Sequence, residues 1–316
     1  MPRTQPPASR FRRIYQRLST AELSAAEQDE ALSLEDLGLE SRREREALAF
    51  GIYSRQGLEN VLREYGLIRR LQERGVGPLE VRLTFEDTFR PRILFWSHRY
   101  EAPVGDISLR KASAAEVGIP SPLEAVPLLF IDSLVLQHPG RSFDWNRPPM
   151  PGQLHPGLAL SAEILEWMLL MARRVGAEGM ALVPSTFAAA WVYARHFHFV
   201  DGAAQGRFVA LRRAGRQWPR WLLSWAVELE CIRGPGGEPV RFAPSPMLAS
   251  FTRRFERLFE DKAWRSAAKE HSLAPLTLDF EALQDRFPWE RMPPGSPPDA
   301  VAEVLSYDPL ARGAGT

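Results

Sequence analysis

The chain has 316 residues, 45% hydrophobic and 25% charged, enough apolar material for a sizeable core in one large domain or two modest ones. Lys and Arg total 40 against 39 Asp and Glu, a formal net charge of +1, so no global electrostatic footprint for nucleic acid exists. The single cysteine, Cys231, excludes an internal disulfide and a multi-cysteine zinc site.

Residues 1–9 read as a short, polar, Pro-rich disordered tail. FRRIYQRL (11–18) fits either a short strand or a helix start. The charged stretch from 19 to 75 reads as helices, best over 55–74, where Leu58, Val61, Leu62, Tyr65, Ile68 and Leu71 fall at helical spacing. After the breaker Gly75–Pro78 the pattern changes. LEVRLTF (79–85) alternates with period two, RILFWSHRY (92–100) is rich in β-formers, and EDTFRP between them completes a hairpin signal. A Pro- and Gly-punctuated stretch covers 102–127. LLFIDSLVLQ (128–137) is then a near-continuous apolar run, as expected of a strand buried on both faces. Residues 139–157 carry too much Pro and Gly for regular structure and read as a long loop.

The next segment, LALSAEILEWMLLMARRVG, predicts a helix from about Gly157 that Gly176 ends. MALVPS (180–185) predicts a short buried strand, TFAAAWVYARH (186–196) a helix, and FHFVD and GRFVALRR (206–213) two further strands. A strand, a crossover helix and a second strand imply a parallel pair. In RQWPRWLLSWAVELEC, Trp218, Trp221, Leu222, Trp225 and Leu229 fall on one helical face. A second helix is expected from Ser245 through Phe251, Phe255 and Phe259, and the tail from about 292 reads as loose.

Chemistry-bearing motifs are few. His196 and His198 are two apart, no HExxH spacing exists, and no metal site is expected. Ser161 and Ser185 lack a G-x-S-x-G context. The most apolar stretch, ILEWMLLMA, is about half the length of a membrane span, and no secretory signal begins the chain. The expectation is a cytoplasmic protein. The Trp218, Trp221 and Trp225 region, with Arg213, Arg216 and Arg220 beside it, reads as a helix docking its indoles on the sheet. If those indoles were exposed, the region would suit a protein partner or a second copy of the chain.

Gln153-Leu154-His155-Pro156-Gly157-Leu158-Ala159 precedes the central helix. With the order of hairpin, buried strand, glycine turn, helix, short strand, helix and strand, it resembles the GNAT superfamily of acyl-CoA-dependent N-acyltransferases over residues 78–213. In that family a central strand ends in a splay. A Gln/Arg-x-x-Gly-x-Gly/Ala loop then presents backbone N–H groups to the CoA pyrophosphate at the next helix N-terminus, where donors and dipole favour an anion. The resemblance implies that Gln153, Gly157, Leu158, Ala159, Leu160 and Ser161 bind acetyl-CoA or another acyl-CoA, with the N–H groups of 157 to 161 available. The loop departs from the pattern: Gln153 lies one residue too far from Gly157, and Pro156 donates no N–H.

The last helix of many family members carries a tyrosine that protonates the departing thiolate, followed by Gly-Phe. Tyr193 and Phe199 match, without the glycine. A phenol of pKa about 10 can serve a thiolate whose acid lies near about 8.5. Asp132, a carboxylate inside an apolar strand, resembles the family's general base. Equally, it could bond an amide or an arginine. The expected architecture is therefore α/β with a mixed sheet: a GNAT-like core at 78–213, a helical N-terminal section at 10–77 and a helical C-terminal appendage at 214–291. The expected activity is acyl transfer from CoA to an unidentified amine acceptor, without a metal. The alternative is a non-catalytic GNAT-like protein with a degenerate CoA site that binds another protein.

Overall fold

A computed structural model describes residues 9–24, 48–85, 90–119 and 123–306. The tail at 1–8, part of the expected helical stretch (25–47), part of the hairpin turn (86–89) and the chain end (307–316) lie outside the described residues. The architecture is mixed α/β. Its main sheet has seven strands: β1 (Leu79–Phe85), β2 (Pro91–Ser97), β3 (Ala102–Ser113), β4 (Pro127–Leu136), β5 (Gly179–Leu182), β6 (His198–Phe199) and, later in the chain, Met247–Ser250. A separate ribbon pairs Ile232–Arg233, here β7, with Thr277–Leu278, here β9, so Met247–Ser250 is β8. The order across the main sheet is β1-β2-β3-β4-β5-β8-β6. Every neighbouring pair is antiparallel except β4 and β5.

The parallel pair follows from the crossover predicted at 128–182. The helix α5 (Ser161–Arg174) carries the chain from β4 back to β5, and its residues 164–172 are all buried. Among the described residues, four α-helices precede the sheet: α1 (Ser9–Arg17), α2 (Thr20–Leu23), α3 (Arg55–Glu64) and α4 (Leu67–Leu71). They share one apolar cluster with α5. Phe11 stacks edge-on against Tyr65 at 4.8 Å, and Arg174 of α5 donates to the carbonyl oxygens of Leu18 (2.7 Å) and Tyr15. Ser9, expected in the tail, opens α1, and the segment read as strand or helix start is helical as far as Arg17.

Beyond β5 come α6 (Phe187–Tyr193), α7 (Gly202–Ala214), α8 (Arg220–Glu228), α9 (Arg253–Glu260), α10 (Lys262–Ser272), α11 (Phe280–Arg286) and α12 (Asp299–Val304). Four local expectations are corrected here. The punctuated stretch 102–127 contains β3, whose twelve residues alternate in burial despite Pro103 and Gly105. GRFVALRR is helix, not strand: the Asp201 carboxylate caps α7 by accepting from the amides of Ala203 (3.0 Å) and Ala204 (3.2 Å). Residues 247–250 begin no helix but form β8, inserted between β5 and β6, so the segment read as a helical appendage completes the sheet. Part of the expected loose tail is α12, whose Val301 is buried.

The sheet separates two apolar clusters. Leu129 and Ile131 of β4 face the larger one with α5, while Leu128 and Phe130 face a smaller one with Phe255 and Phe259. Period-two alternation on a strand buried on both faces accounts for the unbroken apolar run. Helices α7 and α10 pack through glycine. A Cβ on Gly206 would stand 2.6 Å from the Ala268 carbonyl oxygen, and one on Gly202 would stand 2.4 Å from that of Trp264. Gly206→Ala should therefore lower stability by about 2 kcal/mol, since backbone must give way. Urea unfolding checks it. Val209→Ala on the exposed face of the same helix should change stability by less than about 0.5 kcal/mol.

Candidate functional site

The strands β4 and β5 pair from Leu128↔Gly179 to Ile131↔Leu182 and then part. Two local features separate them. On β5, Pro184 follows within two residues and supplies no ladder donor. On β4, the register with β3 slips: Leu109 faces Ile131 and Ser108 faces Ser133, which leaves Asp132 as a bulge. Asp132 and Ser133 are both exposed, and Leu134 returns to the main cluster.

Past the bulge, the backbone bonds on the β5 side of β4 resume only with the long loop. The Leu158 amide donates to the Leu136 carbonyl oxygen (3.4 Å), and His138 donates to that of Pro156 (2.8 Å). Between these ends, β4 offers a short free edge into a slot. The expectation that the amides of 157 to 161 are all available is thus corrected. Leu158 spends its N–H on a bridge between Gly157 and Gln137 that ties the loop to β4. Gln153 is engaged locally, accepting from the Met150 amide through Oε1 (3.1 Å). The side chains of Leu158 and Leu160 are buried.

Immediately after the bridge, α5 begins with an open N-terminus. Ala159 is left-handed (φ 56°), and Leu160 stands at the cap position without a capping side chain. The first amide bonded inside the helix is that of Ile164, to the Leu160 carbonyl oxygen (3.0 Å). The amides of Ser161, Ala162 and Glu163 therefore have no helical acceptor. Glu163, a poor neighbour for an anion, is turned aside by Arg70, at 2.6 Å.

Ser161, Ala162 and Leu165 line one side of a pocket of about 390 Å³. The other side is the end of α6, with Trp191, Val192, Ala194, Arg195 and His196, and Arg212 and Arg220 close it from α7 and α8. Arg195 lies 3.8 Å from Glu166. The guanidinium carbons of Arg212 and Arg220 lie 4.8 and 5.1 Å from the centre of the Trp191 ring. Phe187 meets that ring edge-on at 5.5 Å.

Asp132 and Tyr193 lie on opposite sides of the sheet. The Asp132 carboxylate takes a hydrogen bond from Arg110 Nε (3.1 Å), and Arg110 also pairs with Glu116 (2.6 Å) and lies over Phe130. Tyr193 packs against the main cluster, edge-on to Phe197 at 5.9 Å, and burial pushes its phenol up to about 12.

The Trp face is covered by the chain itself. Trp225 is buried, its Nε1 donating to the Pro149 carbonyl oxygen (2.8 Å). Trp221 stacks on Trp145 and Phe287, and Trp218 on Phe280. Trp145 also donates to the Gly295 carbonyl oxygen (3.1 Å), so the long loop is pinned between α8 and the C-terminal segment. The exposed indole patch that would have suited a partner is not formed.

Among the described residues, no group of three or more His, Cys, Asp or Glu is placed to hold a metal ion, and no helix is long and apolar enough to cross a membrane. No protein-family model matches the chain, and no curated protein matches it.

The linear pattern points to Ser161 at this site but misses Ala162, Trp191, Arg195, Arg212 and Arg220. The strain at Ala159 gives a test of the local geometry. Left-handed backbone costs a residue with a Cβ about 1–2 kcal/mol, part of which glycine returns as unfolded-state entropy. Ala159→Gly should raise the unfolding free energy by about 0.5–1 kcal/mol in a denaturant titration.

Proposed function

We propose that the protein is an acyl-CoA-dependent N-acyltransferase that moves an acyl group, acetyl in the simplest case, to an amine. One observation carries the reading: the uncapped N-terminus of α5, the crossover between β4 and β5, lies at a pocket that Arg195, Arg212 and Arg220 also line. Three free amides and the positive end of a fourteen-residue helix suit a pyrophosphate. The free edge of β4 past Ile131 suits the amides of a pantetheine arm, which can pair with it as an added strand. Asp132 stands at the bulge where the strands part, and Tyr193 is assigned the acid's place by the family pattern.

The chemistry assigned to each follows from its surroundings. The amine attacks the thioester carbonyl, the carbon–sulfur bond breaks, and the thiolate takes a proton. A phenol at about 12 stays protonated at any working pH. It is a weaker acid than the thiol, so Tyr193 donates a hydrogen bond to the sulfur as charge develops and need not transfer its proton before the bond breaks. Asp132 accepts the amine proton through water while Arg110 holds its other side. The alternative, a non-catalytic GNAT-like protein that binds another protein, keeps its support in the departures of the loop from the family pattern, although the covered tryptophans offer it no exposed indole patch.

Two measurements test the reading. Ala162→Asp places a carboxylate in the pocket, yet at a position where helices favour acidic residues. It should leave thermal stability equal or higher while weakening acetyl-CoA binding at least about tenfold by calorimetry. Unchanged affinity would remove the pyrophosphate from this site. Tyr193→Phe should lower kcat about a hundredfold with little change in the Kd for CoA. A variant as fast as the natural chain would strip the tyrosine of its role.

A further inference from the structure

Two arginines stand over Trp191. Arg220 occupies the first position of α8, at the positive end of a helix dipole, where a cation is disfavoured. Arg212, in the last turn of α7 where the dipole favours a cation, brings a second positive charge to the same ring. Burial lowers the Arg220 pKa, and the Arg212 charge adds to that effect. Among the described residues, neither side chain is within ion-pair reach of a carboxylate. Both are held over one indole, whose ring attracts cations but cancels no charge. Phe187 fixes the indole from below, and α7 is fixed through Gly202 and Gly206 against α10. Two guanidiniums are thus pre-positioned without a carboxylate partner, lining the same pocket as Ser161 and Ala162.

We propose that Arg212 and Arg220, carried on Trp191, form a second phosphate subsite that recognises a phosphate monoester on the ligand. This rests on the reading of the pocket as a CoA site and names which part of the ligand the second wall takes. CoA carries a pyrophosphate and, on its ribose, a separate monoester dianion. The helix N-terminus, with neutral donors, suits the pyrophosphate. The paired guanidiniums suit the dianion, because planar forks bind phosphate oxygens two at a time. The ligand class is therefore a 3′-phosphorylated adenosine nucleotide, and the subsite discriminates against the same nucleotide without that phosphate. Both arginines come from the segment between β6 and β8, so selectivity and the pyrophosphate cradle belong to different parts of the chain.

Calorimetric titration of the full-length protein with CoA, dephospho-CoA, adenosine 3′,5′-bisphosphate and ADP tests it. The natural chain should bind CoA about tenfold to a hundredfold more tightly than dephospho-CoA. The double variant Arg212→Gln with Arg220→Gln should bind the two alike, with the dephospho-CoA affinity little changed. Trp191→Leu, which removes the platform but keeps both charges, should lose part of the discrimination. Circular dichroism melts establish that each variant folds. Equal affinity of the natural chain for CoA and dephospho-CoA would overturn the subsite and leave the acyltransferase reading standing. Binding of adenosine 3′,5′-bisphosphate over ADP, without any binding of CoA, would keep the subsite and overturn the acyltransferase reading. No binding of any of the four would overturn both.

Discussion

The parting of β4 from β5 is the constraint on which the rest of the molecule turns. A parallel pair needs a crossover, and α5 is that crossover, so its N-terminus must start near the C-terminal end of β4. The pair lasts only from Leu128↔Gly179 to Ile131↔Leu182. Beyond it, Asp132 bulges on one strand and Pro184 ends the other. Had the pair continued, the edge of β4 would be satisfied and the chain after β5 could not turn into α6. Because it stops, the chain turns into α6, whose end lines one pocket with the N-terminus of α5. Ligand sites in open α/β sheets form at such a place, outside the carboxyl ends of parallel strands.

The electrostatics are local. A chain with a net charge of +1 has no overall field worth naming, yet the pocket at α5 gathers three arginines and a helix dipole. The acidic residues nearby are dealt with one by one: Glu163 is held by Arg70 and Glu166 faces Arg195. Among the arginines that line the pocket, Arg212 and Arg220 have no carboxylate within ion-pair reach. Composition averages over this arrangement, which is why a neutral count excludes a broad nucleic-acid surface but cannot speak to a small anion.

The parts legible in the sequence are those whose burial is periodic over one element. β1, β2, β4, β5, α5, α6 and α8 can be read because each has one or two buried faces and clear punctuation at its ends. The errors have physical causes. β3 hides behind Pro103 and Gly105, residues that punctuate loops more often than strands. α7 reads as strand because RFVALRR sets a short continuous apolar run, FVAL, between arginines. Its helical state is set by the Asp201 cap and by two glycines that fit α10, contacts between segments far apart in sequence. β8 is four residues long and borrows its pairing from β5 and β6. The pocket suffers most from this kind of blindness. Ser161 is legible as the start of a helix after a glycine turn. Arg195, Arg212 and Arg220 come from three elements, and one of those reads in the wrong state, so nothing in the linear order brings them together.

The loop before α5 resolves into two parts with different physics. Pro156 to Leu158 is bridge, spending its hydrogen bonds on β4 to fix where the helix begins. Ala159 to Ala162 is open terminus. Side-chain caps close α3, α6, α7 and α10 through Ser54, Thr186, Asp201 and Asp261, whereas α4, α8, α9 and α12 start, like α5, without a capping hydrogen bond. At α5 the hydroxyl of Ser161 comes one residue late and the cap is Leu160. Replacing a good cap by an apolar residue costs about 1 kcal/mol, and a left-handed alanine costs about 1–2 kcal/mol more. The longest helix of the described residues therefore begins at a costly end, and that end lines the same pocket as three arginines. A capping side chain there would fill the donors that an incoming anion needs. At the head of α8, Arg220 is likewise a cation at a positive helix end, repaid in part by the Trp191 ring. An anionic ligand held in the pocket would satisfy both helix ends at once.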